Sequence, residues 1–102
     1  MTEKRRPSYD LQAIKRAFAT VRGLHATTTA LNSALKLGFS REDIIDTIQR
    51  MQPRHFHKSM TSFEDHRSWQ DVYHVPSDAG LLYVKFTADV VTEFRLLSFK
   101  EK

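Results

Sequence analysis

Apolar residues recur at helical spacing in the first half of the chain and predict three helices. These helices cover residues 11–21, 27–37 and 40–51. The run Thr27-Thr28-Thr29 supplies a cap for the second helix, and Gly38 can end it. Ser40, with Asp43 three residues later, resembles a capping box at the start of the third helix. Pro53 then ends this helical half of the chain.

The second half of the chain has the shorter periodicity of strands. Four strands are predicted, at residues 55–62, 69–75, 81–87 and 93–99, with polar turns at 63–66 and 76–80. Leu82, Val84 and Phe86 should face one side of the third strand, whereas Tyr83 and Lys85 face the other. Short connections favour an antiparallel meander. We therefore expect one α+β domain over residues 1–102, with the N-terminal helices packed on one face of a small antiparallel sheet.

Composition narrows the class of protein. The chain has no cysteine, which excludes disulfides and thiolate zinc sites and favours a reducing cytoplasm. The N-terminus lacks the apolar segment of a secretory signal, and no apolar run is long enough to span a membrane.

The formal net charge is +4. Residues 1–36 hold seven basic and two acidic side chains, so the positive excess lies at the N-terminal end and is compatible with a polyanionic partner.

Histidines and carboxylates are the candidate metal ligands of this chain. His55 and His57 are two residues apart and would share a face of a strand, with His66 and His74 later in the chain. The acids Glu64, Asp65, Asp71 and Asp78 fall in predicted turns or at strand edges and show no spacing typical of a two-metal nuclease. The favoured interpretation is therefore surface and turn residues, with no metal and no cofactor.

Polar side chains that can handle a phosphodiester interrupt the apolar strands. They are Lys58, Gln70, Tyr83, Lys85 and Lys100. RNA carries its own nucleophile, the 2′-hydroxyl, so cleavage needs a base, a cation near the developing charge and an acid for the leaving oxygen. Lysine, tyrosine and glutamine can supply these functions without a metal ion. On the residues alone, the favoured explanation is the ordinary one, in which the lysines are exposed strand residues and the tyrosine packs in the sheet.

Several segments resemble the MqsR (motility quorum-sensing regulator) toxin family. They are K-S-M-T at 58–61, D-H-x-x-W-Q-D-V-Y at 65–73, L-Y-V-K at 82–85 and L-S-F-K-E-K at 97–102, with E-K-R at 3–5 and Pro7. The similarity covers most of the chain, although residues 8–55 match mainly in helical pattern. Residues 74–80 depart from the family pattern, and residues 87–95 are longer than in that pattern.

The resemblance implies a RelE-like toxin fold and an mRNA interferase of a type II toxin–antitoxin pair. Such enzymes cut mRNA at GC-containing sites such as GCU, and their partner is an antitoxin with a zinc site and a helix-turn-helix domain. Carried over by residue, the catalytic positions fall on Lys58, Gln70, Tyr83 and Lys100. We also expect His66, Trp69 and Lys85 to be candidate RNA contacts.

Two alternatives remain open at the level of sequence. A module that binds RNA without cutting it would have the same basic character. A DNA-binding regulator could use residues 26–51 as a helix-turn-helix, but Glu42, Asp43 and Asp46 make residues 40–51 acidic, unlike a DNA-reading helix.

Overall fold

A computed structural model describes residues 1–64, 66–89 and 93–102. The expected α+β architecture is confirmed. The helices are α1 (Leu11–Ala17), α2 (Thr28–Lys36) and α3 (Arg41–Arg50). The strands are β1 (Glu3–Lys4), β2 (Phe56–Thr61), β3 (Trp69–Ser77), β4 (Gly80–Asp89) and β5 (Glu93–Glu101). They form one antiparallel sheet in the order β1-β2-β3-β4-β5.

Local capping explains where α2 and α3 begin. Of the three threonines that could cap α2, Thr27 does so: its hydroxyl accepts a hydrogen bond from the Ala30 N–H. Ser40 and Asp43 form a full capping box, in which each side chain accepts from the other residue's backbone N–H. Gly38 has a φ of 85°, so it supplies the left-handed residue that turns the chain from α2 toward α3.

The first helix is shorter than the apolar pattern predicted. α1 ends at Ala17, and a separate 3-10 turn covers Val21–Gly23. A Cβ on Gly23 would lie 2.5 Å from the Ala17 carbonyl oxygen, so the chain folds back tightly against the end of α1. The prediction of a helix through Val21 was therefore wrong, because Val21 packs on the core from a turn after the helix.

The four predicted strands begin within one residue of their positions in the structure, and β3, β4 and β5 each end two residues later than predicted. β1 was not predicted, since two residues are too few to show a periodicity. β3 extends to Ser77, and β4 begins at Gly80. The predicted turn at 76–80 is therefore reduced to Asp78 and Ala79. Gly80 has a φ of 97°, and the Ser77 hydroxyl donates to its carbonyl to close the hairpin.

The helices and one face of the sheet enclose the hydrophobic core. Ile14, Phe18 and Ile48 from the helical half meet Tyr73 and Phe86 from the strands, and all are essentially inaccessible to solvent. The segment before α2 also pairs with the outer strand β5, since the Leu96 N–H donates to the His25 carbonyl and the Thr27 N–H to the Leu96 carbonyl. The core therefore lies on a single side of the sheet. No helix among the described residues is long and apolar enough to cross a membrane.

Asp71 is not a strand-edge acid, as the sequence had suggested. It is fully buried on the core face of β3 and accepts hydrogen bonds from the backbone N–H groups of Ser8 and Tyr9. The Ser8 hydroxyl also bonds the Ser59 hydroxyl at 2.8 Å. Asp71 thus fixes the segment that links β1 to α1. Asp78 does lie in a turn, whereas Asp65 of the predicted 63–66 turn lies outside the described residues.

Candidate active site

The face of the sheet opposite the core carries most of the predicted site residues. Because paired residues of antiparallel strands project to the same face, the register groups them in rows. One row is His74, Tyr83 and Lys100; the next is Lys58, Val72, Lys85 and Ser98; the third is Met60, Gln70, Thr87 and Arg95. We call this surface the open face. The structure therefore brings together Lys58, Gln70, Tyr83, Lys85 and Lys100.

A bulge in β2 adds a residue to the open face. Phe56 pairs with Tyr73, but Lys58 pairs with Val72, so His57 is an extra residue in the ladder. Both His57 and Lys58 project to the open face, where simple alternation would have separated them. Phe56 instead packs against Tyr73 on the core side, with ring centroids 5.6 Å apart.

Lys58 is ion-paired across the sheet edge. Its ammonium group donates a hydrogen bond to the Glu3 carboxylate of β1. This bond and the positive charge of Lys58 lower the pKa of Glu3. The side chains retain 26% and 48% of their exposure, respectively, so solvent and anions can reach the pair. A phosphate bound by Lys58 would compete with Glu3.

Tyr83 occupies the middle of its row. The Lys100 ammonium lies 5.2 Å from the centre of its ring, on the β5 side. Burial raises the pKa of the Tyr83 hydroxyl, and the positive charge of Lys58 opposes this only in part. Tyr83 is therefore protonated at neutral pH and suited to donate a hydrogen bond or a proton.

Lys85 lies at the centre of the open face, between Val72 and Ser98. Its half-buried position lowers the pKa of its ammonium group, and the nearby charge of Lys100 lowers it further. Lysine ammonium groups from β2, β4 and β5 thus project from one face. Neighbouring strands are about 4.8 Å apart, and three such spacings separate β2 from β5. The backbones of Lys58 and Lys100 are therefore about 14 Å apart, on either side of β3 and β4.

Two predicted RNA contacts lie elsewhere. Trp69 begins β3 opposite Thr61 and so projects to the core side, where the Lys4 ammonium lies 4.2 Å from its ring centre. Its carbonyl accepts from the Tyr9 and Thr87 hydroxyls. His66 is exposed in the loop between β2 and β3. The structure does not place these side chains within the rows of the open face.

The histidines are arranged differently from the sequence interpretation. His55 lies in a 3-10 turn before β2, where its Nδ1 accepts from the Gln52 N–H, so it does not share a strand face with His57. His57 stacks instead on His74, with ring centroids 4.1 Å apart and planes 21° from parallel. Within residues 1–64, 66–89 and 93–102, no three His, Cys, Asp or Glu side chains converge as a metal site would require.

Sequence reasoning did not assign His57 and His74 to the site. The bulge that turns His57 to the open face leaves no signal in the periodicity. His74 could have been assigned, because it lies four positions after Gln70 on the same predicted strand and therefore shares its face.

A sheet face that presents lysines, an amide and a protonated phenol is suited to contact a polyanion. Comparison with known proteins defines the class further. A family model described as "Motility quorum-sensing regulator, toxin of MqsA" matches residues 6–101. The chain is also 35% identical over 100 residues to the mRNA interferase toxin MqsR of Escherichia coli (strain K12), a match that covers 98% of this chain and 99% of the relative. The chain belongs to the MqsR toxin family.

Proposed function

We propose that the protein is an endoribonuclease toxin that cuts single-stranded mRNA on the open face of its sheet. One observation supports this most strongly: Lys58, Gln70, Tyr83, Lys85 and Lys100, which come from four different strands, all project from the same face. The similar Escherichia coli protein is named an mRNA interferase toxin. Cations supply phosphate affinity and stabilise negative charge as it develops.

The proposed reaction uses the substrate's own 2′-hydroxyl and needs no metal ion. The 2′-oxygen attacks the adjacent phosphorus and loses its proton to a base, while the bond to the 5′-oxygen breaks. The products are a 2′,3′-cyclic phosphate and a 5′-hydroxyl. Tyr83 donates the proton to the leaving 5′-oxygen, because its raised pKa keeps it protonated.

The lysines and Gln70 have distinct proposed roles. Lys58 and Lys100, on either side of the central strands, stabilise the negative charge of the phosphorane. Lys85 is the candidate proton acceptor, since burial and the positive charge of Lys100 both lower the pKa of its ammonium group. Gln70 hydrogen-bonds the RNA and fixes its position.

The finer features of the family are part of this proposal. We expect cleavage at GC-containing sites such as GCU, activity in the cytoplasm, and neutralisation by a cognate antitoxin that carries zinc and a helix-turn-helix domain. These expectations rest on membership of the MqsR toxin family, an argument by analogy rather than from geometry. Co-purification of the neighbouring gene product with this chain tests the partner.

The structure gives no support to DNA reading by α3. Asp43 and Asp46 of this helix line a cavity of about 570 Å³ together with Asp78 from the β3–β4 turn and Arg50. Carboxylates at this surface repel a DNA backbone. A module that binds RNA without cutting it would use the same open face, and the experiment below separates it from an enzyme.

The test is cleavage of RNA by the purified chain in EDTA, with end-group analysis of the products. Lys58→Ala and Lys100→Ala should lose most of the activity, whereas Lys36→Ala, which removes an equal charge from α2, should retain it. RNA that is bound but not cut would identify a binding module. Cleavage that stops in EDTA and returns with Mg²⁺ would refute the metal-independent mechanism.

A further inference from the structure

A row of rings crosses the open face beside the proposed catalytic residues. His57 stacks on His74 at 4.1 Å, and His74 lies 6.1 Å from Tyr83 with a tilt of 41° between the ring planes. The Lys100 ammonium lies 5.2 Å from the centre of the Tyr83 ring. The row therefore runs through β2, β3, β4 and β5 in order, with a cation at one end and an imidazole at the other.

The outer end of this row is accessible from the β1 side. β1 pairs only with Met60 and Ser59, so the strand pairing stops short of His57. His57 and His74 are partly exposed rather than buried in the core. One face of the His57 ring is used by His74, and its other face points away from the rest of the row.

Partial burial and the neighbouring positive charges both favour the neutral forms of the two imidazoles. Burial lowers the pKa of His57, and Lys58, Arg5 and Lys102 lower it further, against a weaker opposite effect of Glu3. Burial also lowers the pKa of His74, as do the neighbouring His57, Lys102 and Lys58. Neutral rings stack face to face without the repulsion that two imidazolium ions would have.

We propose that the His57–His74 pair is a stacking platform for an unpaired RNA base next to the cleaved phosphate. Single-stranded RNA is generally recognised by stacking of splayed bases on aromatic side chains. Two strand spacings separate His57 from Tyr83, about 10 Å, so a base on His57 belongs to a nucleotide flanking the one that reacts. Lys58, the next residue after His57, is placed to hold the intervening phosphate.

This inference rests on the proposed RNA cleavage and gives it a way to select a substrate. The phosphate contacts of the lysines are the same for any sequence. A ring platform instead responds to which base flanks the cut and to whether that base is unpaired. We therefore expect the pair to act in binding and substrate choice, whereas proton transfer remains with Tyr83 and Lys85.

The test uses an RNA whose cut site has been mapped with the unmodified protein. A 2′-deoxy nucleotide at that site blocks cleavage, and 2-aminopurine replaces the flanking bases one at a time. Stacking on the pair should quench 2-aminopurine fluorescence at one flanking position when the protein binds. Alanine at His57 or His74 should remove the quenching and raise the Kd about 5- to 150-fold, the range for loss of one stacked base.

Phenylalanine is the matched variant, because it keeps an aromatic face and removes both ring nitrogens. His57→Phe and His74→Phe should retain quenching and a Kd within about threefold of the original, as expected for stacking without base readout. His25→Ala, at an exposed histidine in the loop before α2, is the control for loss of an imidazole elsewhere. Circular dichroism and thermal melting establish that each variant is folded.

The outcomes separate this inference from the proposed function. Cleavage that persists with no quenching at either flanking base overturns the platform and leaves the nuclease intact. Phenylalanine variants that lose kcat while Kd is unchanged also overturn it, because the imidazoles would then transfer protons. If RNA is bound but not cleaved, 2-aminopurine is placed at each position of the bound RNA in turn, and quenching that the alanine variants lose supports the platform and refutes the enzyme. Because 2-aminopurine quenching is also measured with the unmodified protein, the platform can be tested even where an alanine variant fails to fold.

Discussion

Tyr83 and Lys85 are two residues apart on β4 and respond to the same partial burial in opposite ways. Burial raises the pKa of the phenol and lowers that of the ammonium, so each group becomes more readily neutral. The proposed proton donor and the proposed proton acceptor thus lie on the same strand and face. The alternation of the sequence predicted that they share a face, and this is confirmed.

Tyr83→Phe tests the donor directly. The change removes one hydroxyl and keeps the ring that contacts His74 and Lys100, so folding should be little affected. We expect the single-turnover cleavage rate to fall roughly 10²- to 10⁴-fold, the usual contribution of a general acid. Binding of a 2′-deoxy-blocked RNA should change little. A variant that cleaves at the original rate would remove Tyr83 from the mechanism.

Glu3→Gln tests whether the ion pair with Lys58 competes with RNA. Glutamine keeps the shape of the side chain and removes the negative charge next to the lysine. We expect blocked RNA to bind roughly two- to fivefold more tightly at low salt, the scale of an exposed ion pair, with a smaller gain at high salt. Glu42→Gln on the exposed start of α3 is the matched control. An unchanged Kd at low salt would show that Glu3 does not compete.

Much of the candidate site could be predicted at the residue level because a regular strand fixes which residues share a face. The placement of Gln70, Tyr83 and Lys85 on one face required only the period of two along β3 and β4 and the antiparallel pairing. His57 could not be predicted in this way. A bulge inserts one residue without changing the hydrophobic pattern on either side, and the partner of His57 comes from a different strand.

Among the elements, β1 depends on contacts that are remote in the sequence. Its two residues pair with Ser59 and Met60, and the segment that follows is held by Asp71 through the N–H groups of Ser8 and Tyr9. A two-residue strand has no period, so the sequence could not reveal it. Helix caps are local, which is why the starts of α2 and α3 were predicted correctly.

Asp71→Asn tests this attachment of the N-terminal segment. An amide offers one acceptor oxygen instead of two and places an NH₂ group near backbone donors, which leaves a buried N–H without its partner. We expect the free energy of unfolding to fall by roughly 1–3 kcal/mol. Urea denaturation measures it, with Asp78→Asn in the β3–β4 turn as a control that should change stability by less than about 0.5 kcal/mol. Equal stability of the two variants would contradict the role assigned to Asp71.

At the scale of the whole molecule, the two faces of the sheet have different roles. One face packs on the helices, and the other carries the cations and rings. The sequence predicted this division, because helices followed by amphipathic strands leave one strand face for the core and one for solvent. It could not predict that the polar face would also hold two imidazoles in contact, since their contact depends on the register of β2 against β3.

The two stacked imidazoles, together with His55, should make the stability of the whole chain depend on pH. The pKa values of His55, His57 and His74 are lowered in the folded state, so the unfolded chain binds more protons as the pH falls through about 6.5. The free energy of unfolding should therefore decrease between pH 7 and pH 5. Glu3 and Asp43 have lowered pKa values and act at lower pH, because their stabilising effect is lost only as the carboxylates become protonated.

Replacing both members of the pair isolates their contribution. His57→Phe combined with His74→Phe removes two of the three groups that resist protonation, while the charges near them, Lys58, Arg5, Lys102 and Glu3, remain. We expect the free energy of unfolding, measured with urea, to differ less between pH 7 and pH 5 for the double variant than for the original chain. The difference that remains would come from His55. The single variants should fall between the two. If the double variant loses as much stability as the original chain over this range, the imidazoles are not held neutral by the fold.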